Sequence, residues 1–266
     1  MVDLAVLASQ DVDMAALLTN PTEILIDTAG GPVPATVGTL HGSELIILHR
    51  NATGRPVAPH ALDYRANIEA LVRAGVHRVV TTAMVGSLRP SLPVGTGVVL
   101  DQFIDFTRDR RSTYFTGHDF GHADMAEPYC PELRKSLLQS AQHLDVAVSP
   151  HGCYVCTAGP RFETRAEVRM FARLGGDVVG FTNVTECVMA REAGLCFATY
   201  AGVVNLGAGL SDQSLRTEWW HDAREAHATR FGAIIAELAK VLARTPPDTP
   251  KACRCATSTP IERPAG

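Results

Sequence analysis

Apolar and polar positions follow one another along the chain in short blocks that predict strands and helices in turn. Leu4–Ala8 is an unbroken apolar run closed by a polar turn, the pattern of a strand buried on both faces. Glu44–His49 predicts a second strand, followed by a loop containing Gly and Pro and a helix over Leu62–Ala74 that stops at Gly75. The β-branched run Val76–Thr82 predicts a strand that passes into a loop at Met84-Val85-Gly86-Ser87. Gly97–Phe106 predicts a further strand, and Glu132–Leu144 a helix with Leu133, Leu137, Leu138 and Ala141 on one face. Val146–Thr157 reads as a strand. Thr164 with Glu167 three residues on has capping-box spacing and opens a helix over Thr164–Leu174. Asp177–Phe181, Thr185–Ala193 and Cys196–Asn205 predict strand, helix and strand, and Ala223–Leu242 a long amphipathic helix.

Apolar strands alternating with helices predict an α/β domain with a mostly parallel sheet covered on both faces. No linker or repeat interrupts residues 1–243, which are expected to form one domain. From Arg244 to Gly266 there are five prolines and no apolar periodicity. That stretch, residues 244–266, is expected to be a disordered tail without chemistry.

Composition narrows the function. At 46% hydrophobic and 20% charged, 266 residues can bury a sizeable core. No apolar run approaches the ~18 residues that span a bilayer. A net charge of −4 gives no field for nucleic acid or an anionic membrane. Arg108-Asp109-Arg110-Arg111 carries its own acid and reads as a solvated loop. The N-terminus has no signal-peptide pattern, and seven cysteines is an odd number, which together predict reduced thiols in a cytoplasmic protein. Cys153 and Cys156 lie three apart in a strand and so point to opposite faces, a poor fit for a redox pair. No His/Cys/Asp group has metal-ligand spacing, so no metal or organic cofactor is expected.

In open α/β sheets ligands bind at the carboxyl ends of strands, and several strand-end loops here carry polar groups. Thr157–Thr164 ends a strand and opens a helix; Phe162 offers an aromatic face and Glu163 a carboxylate for a purine N–H. The same pattern serves a capped helix start with a buried Phe. Gly180-Phe181-Thr182-Asn183 offers an aromatic and a hydroxyl. Asn205 ends the last strand with a donor and an acceptor suited to the O6/N7 edge of a 6-oxopurine, and is equally a common turn former. Arg50 could hold an anion through its fork of donors, although a strand-end Arg alone is usually a surface cation.

Taken together, the segments Tyr64–Leu71, Thr81–Leu88, Asp101–Asp105, Met125–Cys130, Thr157–Glu167, Gly176–Glu186 and Arg191–Leu195 resemble the trimeric purine nucleoside phosphorylase and methylthioadenosine phosphorylase family. The resemblance runs in order over residues 4–243. It implies a single α/β domain around a central mixed, mostly parallel sheet flanked by helices, in a homotrimer. The implied reaction is cleavage of a purine N-glycosidic bond by phosphate, giving free base and pentose 1-phosphate. Inorganic phosphate is then a co-substrate, and a small purine nucleoside the partner.

In that family, members acting on 6-oxopurines carry Glu at the position of Glu163 and Asn at that of Asn205, where methylthioadenosine phosphorylases carry Ser and Asp. Both residues here match the 6-oxopurine pattern, with inosine, guanosine or methylthioinosine as implied substrates. The resemblance assigns catalysis to Asn205, Glu163 and Arg50, and nucleoside contacts to Phe162, Phe181, Thr182, Met84, Trp219 and His221. Trp219 and His221 fall where the family meets the 5′ substituent, and a Trp pair packing the last helix is an equal reading.

The anion seat departs from the family. Ala8-Ser9-Gln10-Asp11 stands where Gly-Gly-Ser/Thr-Gly is usual, Asn51 replaces the His of Arg-His, Phe181 a Met, and Thr185 a Pro. Asp11 would bring a second negative charge toward phosphate, and two unit charges ~4 Å apart interact by about 4 kcal/mol at an effective dielectric of 20. Ser9, Asp11, Arg50, Asn51, Ala83 and Thr182 would line this phosphate-or-water site. A phosphorylase with an altered phosphate seat, a nucleosidase using Asp11 as general base, and a purine-binding relative with another acceptor all fit this pattern.

Overall fold

The computed structural model describes residues 4–9, 14–50, 57–117, 120–212, 221–244, 255 and 259–260. The strands are β1 (Leu4–Ala8), β2 (Thr19–Ile26), β3 (Val33–Leu40), β4 (Ser43–His49), β5 (Arg78–Ser87), β6 (Gly97–Val99), β7 (Gln102–Phe106), β8 (Gly121–His122), β9 (Val148–Ser149), β10 (Cys153–Thr157), β11 (Val178–Gly180), β12 (Cys196–Leu206) and β13 (Thr259–Pro260). The helices are α1 (Tyr64–Arg73), α2 (Pro131–His143), α3 (Arg165–Arg173), α4 (Asn183–Glu192) and α5 (His221–Arg244). No helix among the described residues is long and apolar enough to cross a membrane.

Eleven strands form one mixed, mostly parallel sheet in the order β2-β3-β4-β1-β5-β11-β10-β7, with β12, β6 and β9 branching from β5. The α/β expectation holds. β1 shows why. Its Ala5 and Leu7 enter one apolar cluster with Ile68 and Leu71 of α1 and Val184 and Cys187 of α4. Leu4, Val6 and Ala8 enter another with Leu133 and Leu137 of α2 and Phe231, Ile235 and Leu238 of α5. A strand covered by helices on both sides has no polar face, so its sequence has no alternation.

Local chemistry sets the helix starts. Asp63 accepts from the Ala66 amide at 2.9 Å at the head of α1, and Pro131 occupies the first turn of α2. The predicted capping box is present at α3: the Glu167 amide donates to Thr164 Oγ1 at 3.2 Å and the Thr164 amide to Glu167 Oε2 at 2.7 Å.

Several boundaries differ from the sequence expectation. The hairpin β2–β3 was not anticipated, because most of β2 is exposed and gives no apolar signal. The runs over 97–106 and 146–157 each divide into two strands, since β6 and β9 pair together while β7 and β10 pair elsewhere. Met84–Ser87 is strand, not loop. After α5, the chain is not without structure at three positions: Cys255 is buried at 3% exposure, and Thr259 and Pro260 pair with His122 and Gly121.

Candidate active site

β5 is where the sheet divides. β12 follows one edge of it from Arg78 to Ser87. The other edge carries β1 at Val79–Thr81 and antiparallel β11 at Gly86 and Ser87. Between them, from Thr82 to Val85, that edge has no strand partner among the described residues. That stretch lies beside the carboxyl ends of β1 and β4. A change of neighbour at strand ends is the usual place for a ligand in an α/β sheet.

Arg50 follows β4 and is buried at 8% exposure. Its Nε and Nη2 both meet the Glu186 carboxylate, the second at 3.0 Å to Oε2. Nη2 also donates to Thr81 Oγ1 at 2.8 Å and to the Thr82 carbonyl at 3.2 Å. The Asn67 amide holds the Arg50 carbonyl at 3.0 Å. Burial alone would push the guanidinium down and the carboxyl up; their mutual attraction opposes both, and Arg50 remains a cation. Among the described residues nothing accepts from Nη1. Glu186 and the β5 edge thus use Nε and Nη2 of the donor fork, and Nη1 is what remains for an anion.

Three further groups surround this point. Ser9 Oγ, just past β1, and His49 Nδ1, at the end of β4, are buried with no hydrogen-bond partner among the described residues. Thr182 is the N-cap of α4, yet its side chain makes no cap bond. Its hydroxyl is thus left at the positive end of a helix, a setting that suits an anion. Ala83 and Met84 sit in β5 on the open stretch, Ala83 buried and Met84 half-buried.

The groups expected to meet a base come from neighbouring strand ends. Glu163 is buried at 9% exposure and accepts from Thr157 Oγ1 at 2.8 Å. Burial pushes its carboxyl up, partly offset by that hydroxyl. Phe162 and Phe181 are both half-buried, with ring centroids 6.3 Å apart. Gly159, at φ +59°, lies where a Cβ would come within 2.9 Å of the Phe181 ring, so only glycine allows this approach. At Asn205 the pairing of β12 with β5 shifts register, a bulge that re-aims the side chain. Asn205 then lies over Gly86, whose added Cβ would be 3.1 Å from Nδ2 and 3.3 Å from Val179. Val179 is two residues before Phe181, so Asn205 and the aromatic pair share one end of the sheet.

Arg110 was expected in a solvated loop, and the structure corrects this. Its Nη1 donates to the Phe181 carbonyl at 2.6 Å and its Nη2 to the Ala158 carbonyl at 3.1 Å. The guanidinium lies 5.2 Å over the Tyr64 ring. Arg110 thereby ties the loop bearing Phe162 and Glu163 to the turn bearing Phe181 and Thr182. Glu186, Thr81, His49 and Arg110 were all missed as site residues from sequence. The motif ending at Glu186 and the one opening at Thr81 carried a signal.

Asp11, Asn51 and Trp219 lie outside the described residues. His221 opens α5 and is exposed. Cys153 and Cys156 are pushed up to about 11 and about 12 by burial, as suits inert thiols.

Comparisons with known proteins show the family of the chain. The family described as the phosphorylase superfamily matches residues 3–240. A 6-oxopurine nucleoside phosphorylase of Pyrococcus furiosus is 45% identical over 203 residues, covering 74% of this chain and 77% of the relative. A probable 6-oxopurine nucleoside phosphorylase of Moorella thermoacetica is 39% identical over 254 residues, covering 95% and 96%. The crystal structure of a methylthioadenosine phosphorylase from an antarctic soil metagenomic library superposes with a TM-score of 0.88 at 30% identity, covering 97% of this chain and 90% of that one.

Proposed function

The chain belongs to the phosphorylase superfamily, and from that premise we propose that it is a pentosyltransferase that cleaves 6-oxopurine nucleosides with inorganic phosphate. The observation that carries the reading is the pair of Glu163, buried and held by Thr157, and Asn205, displayed by the β12 bulge over Gly86. Relatives named for 6-oxopurine nucleosides support it.

The C1′–N9 bond breaks as a phosphate oxygen approaches C1′, through an oxocarbenium-like state. The bonding pair passes to the base, and a proton ends on its imidazole ring. The ionised Glu163 accepts from N1–H and orients the base. The Asn205 amide donates to the O6/N7 edge as negative charge gathers there, whereas an ionised Asp would repel O6. Phe162 and Phe181 pack the base and ribose. Thr182, Ser9 and Nη1 of Arg50 receive phosphate beside the open edge of β5, which fits bond exchange with phosphate and needs no metal or organic cofactor. Met84 lies under the ribose, and Trp219 and His221 meet the 5′ end. By the motif resemblance, Asp11 and Asn51 would complete the seat, with Asp11 tuning the affinity for phosphate. The enzyme acts as a homotrimer on small nucleosides, which rests on the motif resemblance, and in the cytoplasm without nucleic acid, which rests on the odd cysteine count and weak net charge.

The test is base release from inosine and adenosine by the wild type and by Asn205→Asp. The reading expects inosine to be the better substrate and the variant to reverse that order. A wild type that prefers adenosine contradicts it.

A further inference from the structure

Sequence spacing suggests no metal site, yet the fold brings three distant cysteines to one point. The sulfurs of Cys130, Cys196 and Cys255 all lie within 4.8 Å of one another. Cys130 is the residue before α2, Cys196 opens β12, and Cys255 follows α5 after ten intervening residues whose placement is outside the described ones. Cys130 and Cys255 are buried and Cys196 is half-buried, so the cluster is enclosed with one side accessible.

We propose that Cys130, Cys196 and Cys255 form a thiolate site for a thiophilic d10 cation, Zn(II). Sulfurs bound to zinc at ~2.3 Å in a tetrahedron sit about 3.8 Å apart, so closing this cluster on an ion needs shifts of about 1 Å at most. Thiolate-rich sites select soft or borderline ions over magnesium or calcium. Each ligating thiol gives its proton to solvent on binding. Three thiolates and one Zn(II) leave a net charge of −1. That charge falls at the head of α2, a 13-residue helix whose N-cap, Cys130, makes no side-chain cap bond. The positive end of the helix dipole offsets it. Cys130 and Cys196 are also joined by their surroundings: the Cys130 amide donates to the carbonyl of Phe197, next to Cys196, at 2.8 Å. Two ligands are therefore fixed by the domain, and the third, Cys255, is held against it. The fourth tetrahedral position is left to water or a further donor.

The test uses the full chain, purified under reducing conditions, with Zn(II) and Co(II) as probes. Metal content after dialysis is expected at one zinc per chain. Co(II) is expected to give thiolate charge-transfer absorption and tetrahedral visible bands. Cys196→Ser and Cys255→Ser should each weaken zinc binding by at least about 100-fold, while Cys153→Ser, outside the cluster, keeps it. Because Cys255 lies beyond the last helix of the sheet domain, its variant reads ligation even where Cys196→Ser disturbs packing. Zinc binding equal in the wild type and Cys255→Ser, or no binding by either, overturns the proposal. So does a disulfide between two of these three residues, found in peptides of the reduced-purified protein.

Discussion

Glu186, in the first turn of α4, closes both oxygens onto the guanidinium of Arg50, 136 residues away, at the carboxyl end of β4. Both side chains are buried, Glu186 fully. The pair decides what the anion seat can offer: the charge of Arg50 is balanced from within, and Nη1 with the Thr182 and Ser9 hydroxyls is left for phosphate. Removing Glu186 leaves a buried cation without its counter-charge, which costs about 3–5 kcal/mol. Glu186→Ala is therefore expected to lower the free energy of unfolding in urea by that amount, seen as a lower midpoint. An unchanged midpoint would show that the pair is not formed.

Gly86 sets the position of Asn205. A methyl there would stand 3.1 Å from the Asn205 amide and 3.3 Å from Val179, tight enough to displace the amide by tenths of an ångström. Gly86→Ala should lower kcat/KM for inosine by up to about tenfold, since small misplacements of reacting groups are costly. Thermal stability should change little. A full-rate Gly86→Ala enzyme would place the amide outside the chemistry.

Arg110 joins two loops that each carry half of the nucleoside site. Arg110→Met keeps an apolar side chain but removes the guanidinium over Tyr64 and its bonds to the Ala158 and Phe181 carbonyls. The expected result is a several-fold rise in KM for nucleoside. A loss of about 1–3 kcal/mol in stability should accompany it, from carbonyls left unpaired. A fall in kcat at constant KM would mean that Arg110 touches the reaction itself.

His227, buried at 4% exposure, shares a 2.6 Å hydrogen bond with Thr82 Oγ1 and stacks on Tyr200. Burial, then Arg230, lowers its pKa to about 4 from 6.5. The folded state therefore binds fewer protons than the unfolded one between these values, and stability falls as pH drops from about 6.5 toward 4. The contribution at stake is about 3 kcal/mol. Urea unfolding of the wild type and His227→Gln across this range measures it. Equal slopes for the two proteins would remove His227 as the cause.

Local chemistry was legible in the sequence and distant partnership was not. Thr164 and Glu167 announce the start of α3 because a capping box lies within four residues. The carboxyl-end loops at Glu163, Phe181 and Asn205 were readable from strand ends and motif. Arg110 was not, since an Arg-Asp-Arg-Arg run looks solvated until the Ala158 and Phe181 carbonyls, far along the chain, draw one member inward. The breaks at 100–101 and 150–152 follow from a change of neighbouring strand, which an unbroken apolar run does not record. β2 was missed for the opposite reason, being a strand whose side chains mostly face outward.

The most direct test is base release from inosine and guanosine with and without phosphate, with pentose 1-phosphate followed as the second product. The account predicts that free base appears only with phosphate and in equal amount to pentose 1-phosphate, despite Asp11 in place of the usual glycine loop. Base release at the same rate without phosphate, with free pentose as the product, would contradict it.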